Sequence, residues 1–218
     1  MEGSSARPTP PPARIRLIGR ILNSLVVRAP WAWPLLRRPM QRFFDRAAPG
    51  WDDRPGAGSP EYLAPMAAAL LHVKPAPERA LDVGAGTGDG TFLIAREFPQ
   101  ASVRGIDISE EMIRAANAKV GLDPEGRVAF RVLDAADLPY DEDSFDLVTH
   151  LNMPPFAAEV ARVLRPAGYV IVASSWGSAT PFYTPNSVLD WAFAKQGVER
   201  VEAGQVAAGT YWVGRKPV

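Results

Sequence analysis

The stretch LDVGAGTGDG, residues 81–90, decides the fold. It begins as an apolar strand end, passes through an acid, and then places glycines at 84, 86, 88 and 90. Backbone this bare approaches a ligand closely and takes positive φ without steric penalty. A phosphate is the usual guest of a glycine turn between strand and helix. Here the dinucleotide spacing fails: GxGxxG counted from Gly84 reaches Gly86 and then Asp89, and counting from Gly86 also fails. The pattern that fits is D-x-G-x-G-x-G, with Asp82, Gly84, Gly86 and Gly88. A carboxylate two residues before the first glycine repels a pyrophosphate but accepts hydrogen bonds from a cationic group. Amides of the helix that follows still suit a small carboxylate. An amino-acid moiety, with its ammonium and carboxylate, meets both demands.

Outward from the loop the pattern alternates. RALDVGAG reads as a strand into the turn, TFLIAREF as a helix, ASVRGIDIS as a second strand and EEMIRAANAKVG as a second helix capped by Ser109. RVAFRVLDA and SFDLVTHL are a third and a fourth strand, AAEVARVLR is a helix ending near Pro166, and GYVIVASSW is a fifth strand. SVLDWAFAKQG is a helix stopped by Gly197, and VERVEAGQ and GTYWVGRK close the chain as strands. Strands alternating with helices predict an α/β fold with a doubly wound, mostly parallel sheet. The last two strands are close enough only for a hairpin, so an antiparallel edge is expected.

The strand ends carry acids where a nucleoside needs them. Asp107 ends the second strand, 21 residues after Gly86, where a carboxylate can take both ribose hydroxyls. Asp134 ends the third strand near the expected place of an adenine amino group, with Ile108 and Ala135 flanking the base.

LDVGAGTGDG, GIDIS, VLDAADLPYDEDSFDLV and ARVLRPAGYVIV, in this order, resemble the class I S-adenosylmethionine-dependent methyltransferases, nearest their small-molecule, quinone-type branch. The resemblance covers roughly residues 43–218 and includes FFDRAAPGWDDR at 43–54. It implies a seven-stranded sheet with an antiparallel last strand, S-adenosyl-L-methionine as cofactor, and methyl transfer as activity. It implies that Asp82, Gly84, Ala85, Gly86 and Gly88 bind the methionyl end, Asp107 the ribose, and Asp134 with Ala135 the adenine. Ala167 stands where many relatives have glycine, a change expected to be harmless in a turn. The loop after the fourth strand is short, THLNMPPFAAEV, so residue roles from a longer family loop do not carry over.

Within that loop NMPPF, 152–156, is similar to the Asn/Asp-Pro-Pro-aromatic motif of amino-group methyltransferases, but Met153 interrupts it and a proline-started helix explains it as well. Asn152 can still line the ligand crevice at the strand end. His150 is the only histidine near the expected site and is the candidate general base. Tyr140, Trp176, Phe182 and Tyr183 are candidate walls of an acceptor pocket.

Composition narrows the rest. The 218 residues contain no cysteine and two histidines, which excludes disulfides, cysteine-ligated zinc and thiol catalysis and leaves no metal site expected. Residues 3–44 hold eight arginines and no acid or lysine, whereas residues 45–218 carry −7. This divides the chain into a disordered tail (1–13), a basic helical arm or lid (14–60) and an S-adenosylmethionine-binding domain (61–218). An acidic body is not a nucleic-acid binder. RIRLIGRILNSLVVRA predicts an amphipathic helix, and Pro30, Pro34 and Pro39 predict turns or very short helices after it. Arginines, Trp31 and Trp33 make residues 14–42 a candidate peripheral membrane contact. With no spanning or leader segment evident, the expected place is the cytoplasm, free or associated with a membrane. The expected partner is a small apolar, lipid- or quinone-like acceptor. The competing readings are a nicotinamide-dependent oxidoreductase, and a catalytically idle cofactor binder acting through its arm.

Overall fold

The structure, a computed structural model, describes residues 9–123 and 125–218. Most of the tail expected over 1–13 therefore lies outside the described residues; Ala13 already opens a helix. The elements run α1 (Ala13–Arg28), α2 (Trp33–Ala47), α3 (Pro60–Leu70), β1 (Arg79–Val83), α4 (Asp89–Glu97), β2 (Ser102–Asp107), α5 (Glu110–Lys119) and β3 (Val128–Val132). They continue with β4 (Phe145–Leu151), α6 (Ala157–Val163), β5 (Leu164–Ser174), α7 (Asn186–Ala194), β6 (Glu199–Val206) and β7 (Gly209–Arg215).

One sheet holds all seven strands in the order β3-β2-β1-β4-β5-β7-β6. β1 to β5 are parallel and β7 runs antiparallel to both β5 and β6. The hairpin is as the spacing requires, but its second strand inserts next to β5, so β6 and not the antiparallel strand forms the edge. Strand order reverses between β1 and β4, and in doubly wound sheets ligands bind outside the strand C-termini at that reversal.

Central strands buried on both faces read as continuous apolar runs, and β4 is buried from Phe145 to His150. One face packs Met66 and Leu70 of α3 and Leu93 and Ile94 of α4 against Ala80, Leu147 and Ile171. The other packs Val160 of α6 and Leu189 and Phe193 of α7 against Leu81, Val148, Val170 and Trp212. Caps fix the helix starts. Ser59 and Ser109 accept from the amides of Tyr62 and Met112, each at 3.2 Å.

Three expectations are corrected. The proline-rich stretch forms α2, a 15-residue helix: Pro34 falls in its first turn, where no amide hydrogen is needed, and Pro39 is carried inside it. The helix before β5 stops at Val163, so Pro166 already belongs to the strand. Ala167 has φ of 64°, left-handed backbone that costs a non-glycine residue about 1 kcal/mol, so the alanine is strained rather than harmless.

Candidate cofactor site

The C-terminal ends of β1, β2 and β4 are level, with Val83 opposite Ile106 on one side and His150 on the other. The glycine loop emerges there. Gly84, Gly86 and Gly88 have φ of 73°, 54° and 101°, which explains three of the loop's glycines at once. Ala85 between them is buried against Phe130, Ile113 and Ala116. The loop is tied to the next strand end by Asp107, whose Oδ2 accepts from the Gly86 amide and Oδ1 from the Ser109 amide, both at 2.9 Å. Burial raises the Asp107 pKa above its ordinary value while these amide bonds oppose the rise. Two oxygens, each with a second lone pair, remain for a diol.

Asp82 sits differently from the expectation that it faces an ammonium group. It is 1% exposed, and its two oxygens accept from the Thr91 and Thr149 hydroxyls at 2.7 Å each. Burial pushes its pKa up to about 6 despite those bonds. The carboxylate pins β1, β4 and α4 together behind the loop. Sequence reasoning misses Thr91 and Thr149, because an isolated threonine carries no signal.

Asn152 is likewise consumed by the fold. Its amide nitrogen donates to Tyr62 Oη and Ser175 Oγ, both at 2.9 Å, and its oxygen accepts from the Ser175 amide at 2.7 Å. With φ of 58° it turns the chain out of β4, and neither donor is left to grip a substrate amine. His150 is fully buried with both ring nitrogens unpartnered. The Ile171 backbone lies near enough to favour the imidazolium slightly, but burial dominates and lowers the pKa to about 4. A base for the reaction is not assembled around it. Tyr140 stacks edge-on to Phe145, which starts β4, so it lies away from the strand C-termini and does not wall the crevice. Trp176 packs on Tyr62, and Phe182 on Phe44.

Asp134, Ala135 and Ile108 do come together, and the N-terminal arm joins them. Trp33 Nε1 donates to Asp134 at 2.9 Å, Arg37 approaches the same carboxylate at 3.2 Å, and the indole shares one apolar cluster with Ala135 and Ile108. Further along, Asp45 accepts from Ser109 Oγ at 2.6 Å and Asp52 from Thr87 Oγ1 at 2.5 Å. Met153 lies over the loop: a Cβ on Gly84 would be 1.9 Å from its sulfur. Among the described residues no cluster of three metal-ligating side chains exists.

Residues 80–168 match the methyltransferase domain family. Nocamycin O-methyltransferase of Saccharothrix syringae is 38% identical over 159 residues, 68% of this chain and 53% of that protein. Demethylmenaquinone methyltransferase of Symbiobacterium thermophilum is 29% identical over 179 residues, 72% of this chain and 71% of the relative. The chain spans about half the length of the first curated relatives it matches. The solved cyclase SpnF shares the fold, with a TM-score of 0.65 at 19% identity over 82% of this chain and 95% of that one. Motif order, sheet and sequence similarity make residues 80–168 a methyltransferase domain of the class I, S-adenosylmethionine-dependent type. The site fits that cofactor: bare left-handed backbone at Gly84 and Gly86, and carboxylates at the ends of β2 and β3.

Proposed function

We propose that this protein transfers a methyl group from S-adenosylmethionine to a small, apolar or quinone-like acceptor. The observation that carries the reading is the alignment of Asp107 and Asp134 at neighbouring strand ends beside a loop whose three glycines are all left-handed. Asp107 would hold the ribose hydroxyls, Asp134 with Ala135 and Ile108 the adenine, and the backbone at Gly84 and Gly86 the methionyl end. When bound, the cofactor supplies a methyl group on a sulfonium whose leaving thioether is neutral. The protein's part is therefore to orient and to exclude water, which supplies most of such a rate. Among the described residues no base stands ready in the site, which favours an acceptor that is already nucleophilic. The quinone- and O-methyltransferase names of the relatives support the acceptor class.

The test is isothermal titration with S-adenosylhomocysteine, with NADH as control, on the wild-type protein and Asp107→Ala. Binding of the former alone, weakened by roughly a hundredfold in the variant through loss of charge-assisted hydrogen bonds of about 1.5–3 kcal/mol each, is expected. NADH binding, or unchanged affinity in the variant, overturns the assignment. Because a cyclase uses the same fold, labelled methyl transfer to quinol acceptors then tests the activity itself.

We infer also that the arm rests on an anionic membrane surface. Leu17, Ile18 and Ile21 of α1 are 62%, 58% and 55% exposed, with Arg14 and Arg28 at the ends of the same stripe. Trp31 and Leu35 continue the apolar surface, and Arg38 and Arg42 the charge. No described helix is long and apolar enough to cross a membrane, so contact would be lateral. Co-sedimentation with phosphatidylserine-containing vesicles, lost in L17Q/I18Q/I21Q and in high salt, is expected; absence of binding to such vesicles by the wild-type protein refutes this contact.

A further inference from the structure

The arm meets the cofactor-binding positions with side chains that resemble the cofactor's own two ends. Trp33 presents a flat bicyclic heteroaromatic ring, 8% exposed, with its single N–H on Asp134 and its edge on Phe156 at a centroid distance of 5.1 Å. An adenine amino group would donate to that same carboxylate, between the same Ala135 and Ile108. At the other end, the thioether of Met153 lies on the bare backbone of Gly84, where the methionyl part belongs. One bicyclic donor and one methionine side chain thus lie at the two positions assigned to the cofactor's ends.

We propose that Trp33 is an internal competitor of the cofactor: with the arm closed its indole holds the adenine position and Met153 the methionyl position, and the cofactor binds as the arm withdraws. The proposal rests on the cofactor assignment above and goes beyond it. His150 gives a second, independent sign. It lies on the sheet face that Trp33 and Val26 help to cover, since its neighbours in register, Val83 and Val172, belong to their cluster. A fully buried imidazole with no hydrogen bond is unfavourable, and it lies on the face where the arm's Trp33 and Val26 join the core. The polar ties that close the arm over the strand ends are Trp33 and Arg37 on Asp134, Asp45 on Ser109 and the Glu111 amide, and Asp52 on Thr87 and Lys119. Apparent cofactor affinity is then the intrinsic affinity scaled by the open fraction.

Titration of S-adenosylhomocysteine into wild type, Trp33→Ala, Trp33→Phe and Met153→Ala tests this. Trp33→Ala should bind about tenfold or more tightly than wild type, and Met153→Ala should also gain. Trp33→Phe, which keeps an aromatic ring but loses the N–H and part of the indole's volume, should fall between wild type and Trp33→Ala. In the wild-type protein, hydrogen exchange of the amides of residues 33–47 should quicken when S-adenosylhomocysteine is added. Equal or weaker binding by both Trp33 variants makes Trp33 a wall of the site and overturns the competitor while leaving the cofactor assignment standing. Binding by none of the four proteins overturns both.

Discussion

Two regions meet at the C-terminal edge of the sheet and are assembled by opposite rules. In the frame, residues 79–174, polar side chains turn inward, and most of those that border the site are bound, His150 apart. Asp82 sits between two threonine hydroxyls, Asp107 takes two amides, and Asn152 is bound by Tyr62 and Ser175. In the arm, helix α1 packs Gly19, Asn23 and Val26 and leaves Leu17, Ile18 and Ile21 outside. A Cβ on Gly19 would lie 2.5 Å from Pro181, and Asn23 is 4% exposed, while Leu17 and Ile18 face out. A surface helix normally does the reverse. The frame therefore turns its polar groups inward, whereas the arm, tied down through Arg20, Asn23, Trp33, Asp45 and Asp52, keeps an apolar face outward.

The largest expected effect breaks the frame's side of that contrast. Asp82 has a pKa of about 6 in the folded protein against an ordinary value of 3.8. A raised carboxyl value means that the folded state holds the proton more tightly, so stability is lost as pH rises from 3.8 through 6. A gap of that size between the folded and unfolded chain corresponds to about 3 kcal/mol once the group is ionised. His150 works the other way. Its value falls from 6.5 to about 4, so its contribution is present above 6.5 and is lost as pH falls through 4. Between about pH 4 and 6 the two slopes cancel. Asp82→Asn keeps the shape, and the threonine hydroxyls can turn to accept from the amide. Denaturant titrations should find the variant more stable than wild type at pH 7, with the two converging near pH 4 and the difference growing with pH between. A variant less stable by the same amount at pH 5 and pH 7 would show that the carboxylate's charge is not what the frame carries.

The frame is also the legible region. Its glycines announce left-handed backbone, and the places of Asp107 and Asp134 at strand ends are readable because the alternation of elements locates the strands. What spacing does not tell is which way each acid turns. Asp82 is on the motif but bonds inward to Thr91 and Thr149, partners 9 and 67 residues away that no local pattern links to it. The same strand-end rule turns Asn152 toward the crevice, whereas the fold holds it. The arm is legible only as periodicity and charge. Its prolines suggest breaks, yet Pro34 falls where a helix tolerates it and Pro39 is carried inside α2. Trp33 gives no sign at all of its role at the site, because its contact with Asp134 spans 101 residues and depends on where α2 lands.

A smaller effect sharpens the arm's side. Asn23 donates to the Tyr183 carbonyl at 3.1 Å and to Thr184 Oγ1 at 2.9 Å, both in the loop between β5 and α7. Removing it strands buried polar groups, at about 1–3 kcal/mol. If the arm opens as a unit of its own, that loss falls on arm docking and not on global unfolding. Asn23→Ala should then speed amide exchange over residues 13–28 by about tenfold or more, with the thermal midpoint of the frame nearly unchanged. A midpoint lowered by several degrees, with α1 exchange no faster than that of β4, would mean that arm and frame melt together. The aliphatic outer face of α1 would then belong to a fixed wall, and cofactor access would have to come from elsewhere than the arm.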